Sequence, residues 1–494
     1  MSLAATHSLA PQQMIEIIHN GLPAAKQPNR ILIVGAGMSG LVAASLLQAA
    51  GHEVQIIEAN SRAGGRVFTI RAPFSHGLFY NAGAYRIPDV HYLTMAYVKK
   101  YHLPLNELRL ADPSDLLVAN GQHIRRNAYE RNPALLRYQV APHEEGLTAS
   151  TLYQLALQPV LDYIIQNPAL HWPHIVRSYD SLSLDTYLRQ YPSAFGVPLS
   201  VGAIEMINVL LENEGMKEYS VLEFLMSALT YNQTGVTFYE LAGGMDQLPD
   251  AFLPQLSDVI HYNNKVTKVV QQADQVTVLT RQTRSHQVST FSADYCIITL
   301  PFSVLKQVEL LPFASFSLPK RQAIREMRYM SGTKVAIEFK HRFWIEQHLN
   351  DRRTVSDLPL RMTYYPNHVP DPDGPGIVLA SYTLGNDTAS WDGLNNEERV
   401  RSALQHLAVF HGQQVYTHFV KGTSFSWNQN PYSCGAFSYF IPNQASKWYP
   451  HLSTQEGNVF FAGEHTTFTH GWVQGAIESG IRAAYEVNLK TSNT

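Results

Sequence analysis

The chain has 494 residues, and 37 Lys and Arg against 40 Asp and Glu give a formal net charge of −3. At about 150 residues per domain this length suits about three domains rather than one core, and 45% hydrophobic with 16% charged residues excludes a disordered, collagenous or coiled-coil chain. No basic surplus is present to neutralise nucleic-acid phosphates, and two cysteines, Cys296 and Cys434, supply neither a disulfide framework nor the spacing of a metal site such as zinc. From the start of the chain, residues 1–13 carry no Lys or Arg ahead of an apolar run, so no export signal is read and a cytoplasmic location is expected. Residues 31–50 are almost wholly apolar, yet Gly35, Gly37, Gly40, Ser45 and Gln48 interrupt them. They read as a buried strand and helix rather than a membrane span.

That strand is Arg30–Val34, a β-branched run short enough for a parallel sheet. Gly35-Ala36-Gly37-Met38-Ser39-Gly40 follows directly, residues 41–50 favour a helix, and Gly51 is placed to end it. Glu53–Ile57 is a second strand that delivers Glu58. This is G-x-G-x-x-G inside a βαβ unit with an acid about 20 residues on. Gly35 allows the tight turn, Gly37 lets a pyrophosphate approach the backbone, and Gly40 lets helix and strand pack closely. The helix N-terminus supplies free N–H groups, and Glu58 can accept from a ribose diol. A dinucleotide site is therefore predicted. Gly64-Gly65-Arg66 either holds a second face of the pyrophosphate or is an ordinary turn with a solvated arginine. Residues 152–156 and 201–211 have helical apolar spacing, so 131–238 is expected to be mostly helical. Residues 458–464 read as a short strand running into a turn, and a helical run to 487 follows 470–476.

The order of G-x-G-x-x-G, acid and Arg62-Ala63-Gly64-Gly65-Arg66 resembles FAD-dependent amine oxidases rather than nicotinamide dehydrogenases. Ala462-Gly463-Glu464 and the segment His470-Gly471-Trp472-Val473-Gln474-Gly475-Ala476 agree. By this resemblance FAD would contact Gly35, Gly37, Met38, Ser39, Gly40, Glu58, Ala59, Gly65, Arg66, Gly83, Ala84, Tyr85, Arg86, Val266, Trp427, Gly463, Glu464, Trp472, Val473 and Ala476. Gly243-Gly244-Met245 looks like one more flavin contact. Asn81-Ala82-Gly83-Ala84-Tyr85-Arg86-Ile87-Pro88 narrows the likeness to L-amino acid oxidases, which place an arginine over the flavin. Further similarity in 14–22, 331–334, 364–368 and 427–437 extends it over nearly the full length.

The resemblance implies roles. Arg86 would bind the substrate α-carboxylate bidentately, and Tyr382 would add a hydroxyl to it. Trp472, after Gly471, and Phe437 would be aromatic walls, and Lys334 the catalytic lysine holding a water near flavin N5. Covalent flavin attachment in monoamine oxidases uses a cysteine at the position held here by Ala436, with Cys434 two residues away, so non-covalent FAD is expected. Some relatives carry an active-site histidine in the stretch equivalent to 226–237, where this chain has none. Hydride transfer from Cα needs no such base. The expected reaction takes an L-amino acid and O2 to a 2-oxo acid, ammonia and hydrogen peroxide. A flavin L-amino acid 2-monooxygenase, giving an amide and CO2, is the runner-up, and an amine oxidase follows it. A homodimer, common in the family, is expected, with no nucleic-acid or membrane partner.

The expected fold is α/β. A discontinuous Rossmann-like FAD-binding domain takes 28–72, 239–320 and 454–490, and a mixed-sheet substrate-binding domain takes 5–27, 73–130 and 321–453. A helical insertion domain, 131–238, would shape an entrance. Phe437, Trp472 and Tyr382 suggest apolar or aromatic substrates, whereas Glu212, Glu214 or Glu240 could receive a basic side chain if they are not simply surface acids.

Overall fold

The computed structural model describes residues 9–233, 235–366 and 374–492. Residues 5–8 and the pair Asn367 and His368, both within segments singled out above, lie outside the described residues. Arg30–Val34 forms the middle of a five-stranded parallel sheet, with Glu53–Ile57 on one side and Tyr295–Ile298 on the other. Ile260–His261 and Val459–Phe461 complete its edges. The central strand alternates between two cores. Ile31 and Ile33 pack with Leu41, Leu47, Ile477 and Ile481, while Leu32 and Val34 pack with Ile298, Phe302 and Phe461. Burial on both faces is why the strand is apolar throughout.

The helix after the glycine motif, Met38–Ala49, begins three residues before the expected 41, because extended Gly37 is its N-cap and the motif itself forms the first turn. The last helix, Val473–Ser492, runs past the expected 487. Its final turn is held by buried Thr491 and by the Lys490 Nζ donating to Gly457 O at 2.9 Å.

A second, seven-stranded sheet has the order Phe419–Ser426, Gly332–Phe339, Gly376–Leu384, Met362–Tyr365, Arg352–Ser356, Leu116–Ala119 and Gln122–Arg125. It is mixed, since Arg352–Ser356 pairs parallel with Leu116–Ala119 among antiparallel neighbours. Between these sheets in sequence come the helices Ala149–Gln166, Pro168–Tyr179, Leu184–Gln190, Val201–Leu210 and Val221–Leu229. Each opens on a side chain that accepts a first-turn N–H: Thr148, Asn167, Ser183, Ser200 and Ser220. Among the described residues no helix is long and apolar enough to cross a membrane.

Candidate active site

A cavity of about 1030 Å³ runs from the glycine motif to the helices. Its first wall follows from backbone geometry. Gly35 has φ +111°, and a Cβ there would lie 2.6 Å from Thr299 Oγ1. A Cβ on Gly37 would meet nothing within 4 Å, so the first turn of the helix offers its N–H groups to open space. Glu58 accepts from the backbone N–H groups of Ala36 and Asn60, both at 2.8 Å, which fixes its carboxylate at the cavity edge. Gly65, Arg66, Ala59 and Val266 continue this wall, and the strand ladder is irregular between Val266 and Lys268. The proportions suit an extended dinucleotide. Gly40 does not line the cavity: its absent Cβ would sit 2.0 Å from Gly35 O, so this glycine serves helix–strand packing instead.

Glu464 is a junction. It accepts from Arg66 Nη1 at 2.7 Å, Ser438 Oγ at 2.6 Å, Ser438 N at 3.2 Å and Gly471 N at 3.0 Å. Burial pushes its pKa up, but Arg66, His470 and His465 outweigh that and hold it at about 2. Arg66 is therefore a paired cation, not a solvated turn residue. Gly243, Gly244 and Met245 correct an expectation: they lie behind the wall. Met245 is fully buried and donates its N–H to Asn81 Oδ1 at 3.0 Å, and Gly244 packs against Thr69.

The opposite wall is the second sheet. Lys334 on Gly332–Phe339 is buried and donates Nζ to Asn81 O at 2.8 Å and Gly83 O at 2.9 Å. Burial and the Arg86 guanidinium push its pKa down to about 7, leaving one hydrogen-bonding position beyond those two carbonyls. Its Nζ lies 4.4 Å from the ring centre of Tyr382, its register partner. Arg86 sits half-buried, 5.9 Å from the Trp472 ring and 5.8 Å from Phe238, with no ion pair among the described residues. Trp472 is held between His91 at 4.8 Å and Tyr231 at 4.6 Å. Phe437 packs directly on Gly471. Trp427 donates Nε1 to Ala82 O at 2.8 Å and packs on Gly83. Gly83, Ala84, Tyr85, Gly463, Val473 and Ala476 join these residues in the lining, while Gly40, Gly243, Gly244 and Met245 do not border this space.

Sequence reading missed other lining residues: Met362, Tyr364, Tyr231, Arg353, and the pair of His470 and Glu223. The alternation of Met362 and Tyr364 was a usable signal, since period two puts both on one face. His470 Nδ1 lies 2.8 Å from Glu223 Oε1. Burial lowers the His470 pKa, and Glu223, together with Glu464 and the His465 backbone, more than offsets it, so the net direction is upward. A histidine does line the cavity, although 226–237 contains none. Glu212 also lines it, paired with Arg353, and is no surface acid. Glu214 pairs with Arg361, and Glu240 is buried in Phe238–Leu241; neither borders this cavity. Ala436 lines it and Cys434 does not.

The family model described as flavin containing amine oxidoreductase matches residues 38–488. YobN of Bacillus subtilis (strain 168), whose name as an L-amino-acid oxidase is provisional, is 46% identical over 98% of this chain and 99% of its own. An L-amino-acid oxidase of Siganus canaliculatus is 35% identical over 97% of this chain and 89% of its own. One from Vipera ammodytes ammodytes is 33% identical over 97% and 96%. Among solved structures, a putrescine oxidase redesigned in cofactor binding has TM-score 0.73 at 20% identity, covering 94% of this chain and 99% of that one. Cyclohexylamine oxidase from Brevibacterium oxydans has TM-score 0.71 at 19% identity, covering 94% and 99%. Those two share the fold. The chain is an oxidoreductase that belongs to the flavin-containing amine oxidoreductase family.

Proposed function

We propose that this protein is an FAD-dependent oxidase that converts L-amino acids, water and O2 into 2-oxo acids, ammonia and hydrogen peroxide. The observation that carries the reading is Arg86: a guanidinium in the same cavity as Lys334, without an ion-pair partner among the described residues. A substrate lacking a carboxylate gives such a cation nothing to bind. Relatives named L-amino-acid oxidase at 35% and 33% identity support it.

The chemistry that bound FAD supplies is two-electron acceptance from the substrate Cα–H and reoxidation by O2. Gly35 to Ser39, Glu58, Arg66, Val266 and the start of Val473–Ser492 would hold it. The chain's own task is orientation and exclusion of water. Arg86 and the Tyr382 hydroxyl grip the carboxylate, and Trp472 and Phe437 confine the amine side. Lys334, tethered by two carbonyls, keeps one position for a water that serves imine hydrolysis or the oxygen reaction. Ala436 on the lining and Cys434 off it support non-covalent FAD. The same reading assigns FAD to 28–72, 239–320 and 454–490, substrate to 5–27, 73–130 and 321–453, and the entrance to 131–238. A homodimer and a cytoplasmic location belong to it as well, the first readable by light scattering.

The test is oxygen-dependent peroxide release from L-amino acids, their D-enantiomers and the decarboxylated amines. Peroxide from L-amino acids alone is expected. Consumption of the amino acid without peroxide, with an amide and CO2 formed, would make the protein a monooxygenase. Peroxide from the amines would remove Arg86 from its role.

A further inference from the structure

The sheet that carries Lys334 presents side chains to the cavity strand after strand. Lys334 pairs with Tyr382, and Tyr382 with Met362; one strand further, Arg353 lies opposite Tyr364. At about 4.8 Å per strand, Arg353 stands ~14 Å from the strand of Lys334. The cavity thus has a second end, away from the lysine, and charges close it. Arg353 Nη1 donates to Glu212 Oε1, its Nε lies 3.5 Å from Asp115 Oδ2, and Arg126 Nε lies 3.2 Å from the same oxygen.

Two guanidiniums and two carboxylates make this end neutral overall, so the direction of the open valences decides what it recognises. Arg353 is occupied by Glu212 and Asp115, whereas Arg126 holds Asp115 through Nε and leaves Nη2 as a buried donor without a partner among the described residues. Asp115 is occupied on both oxygens, accepting the Arg353 N–H at Oδ1 and the arginines at Oδ2. Glu212 is different: Oε1 takes Arg353, while Oε2 has no hydrogen bond among the described residues, and the residue borders the cavity. Glu212 follows directly on the C-cap of Val201–Leu210 with φ +64°, a left-handed conformation that costs a glutamate energy.

A carboxylate can only accept hydrogen bonds, so the free oxygen calls for an N–H donor. Resting on the L-amino acid reading above, we infer that Glu212 is the specificity residue for the substrate side chain. L-amino acids ending in a guanidinium or ammonium group would be preferred over apolar ones of similar length. With the α-carboxylate on Arg86 and Tyr382, a long side chain runs along the sheet past Met362 and Tyr364 to reach Glu212. A short apolar one ends before it.

The FAD-loaded enzyme tests this through kcat/KM for L-arginine, L-lysine, L-norleucine and L-methionine. The wild type is expected to take L-arginine or L-lysine at least tenfold better than L-norleucine. Glu212→Gln keeps an oxygen for Arg353 and is expected to cut that ratio at least tenfold, while Glu212→Asp, which keeps the charge, retains most of it. Melting temperature and flavin content report folding, and if Glu212→Gln loses its flavin the wild-type ratio and Glu212→Asp decide. A wild-type preference for L-norleucine, or an unchanged ratio in Glu212→Gln, would overturn the inference with the oxidase reading intact. No turnover of any L-amino acid by the wild type would overturn both.

Discussion

Arg86, Lys334 and Glu464 show how the same physics, burial of charge, serves different ends. Arg86 has no ion pair among the described residues and lines the cavity, which is what the proposed carboxylate clamp requires. Replacing it with Met should lower kcat/KM for L-amino acids about a hundredfold, mostly through KM, because a charge-assisted hydrogen bond to the substrate is lost; steady-state kinetics checks this, and the decarboxylated amine should not suffer the same loss. Lys334, at a pKa of about 7, exchanges its proton near neutrality. Lys334→Met should slow flavin reoxidation by O2 on the order of tenfold or more in stopped-flow, and a normal rate would leave the lysine only the imine-hydrolysis role. Glu464 is spent on the protein itself. Its folded pKa of about 2 lies below the ordinary 4.5, so its stabilisation is full above pH 4.5 and disappears as pH falls through 4.5 toward 2. That amounts to about 3 kcal/mol. Glu464→Gln should therefore flatten the acid limb of stability, removing about 2 kcal/mol of the difference between pH 6 and pH 3 in denaturant titrations, the remainder being lost only below pH 3. Arg86 and Lys334 were legible because each sits in a recognisable motif. Glu212 was only one of three candidate acids and Arg353 was not singled out at all, because their meaning is a contact between positions 141 residues apart.

At the level of elements, the glycine motif divides into positions with opposite demands. A Cβ at Gly40 would strike Gly35 O at 2.0 Å, a backbone atom that cannot turn aside, whereas one at Gly37 faces open space. Gly40→Ala should therefore destabilise the cofactor-free protein by about 3 kcal/mol or more, as overpacking does. Gly37→Ala should melt within a few degrees of the wild type without cofactor, yet bind FAD more weakly, since its methyl occupies the approach to the helix N-terminus. Melting curves with and without FAD separate the two. The strand–turn–helix–strand order was readable because its apolar runs and glycines are local signals. The start of Met38–Ala49 was misplaced because glycines are poor helix formers, while capping at Gly37 is decided by the turn. The last helix ran longer than expected because its final turn is held by Gly457, reached only in the folded chain.

Over the whole molecule, one cavity is bordered by residues from Gly35 to Ala476, so the cofactor joins parts of the chain that are far apart in sequence. FAD should stabilise by about 2.7 kcal/mol at a hundredfold excess over its Kd, and the melting temperature should climb with FAD concentration. Acid precipitation should leave all flavin in the supernatant, because Ala436 borders the cavity where a cysteine would be needed. The sequence by itself determined the dinucleotide turn and the class of fold, because a βαβ unit and its glycines are specified by neighbours along the chain. Tertiary structure alone decided which charges are spent and which remain open. Glu464 is saturated by three separate segments, His470 is paired by a helix far upstream in the chain, and Glu212 faces the cavity beside Arg353. Hydrogen-bond valence depends on what lies within about 3 Å, and for these residues that is set by packing between distant segments.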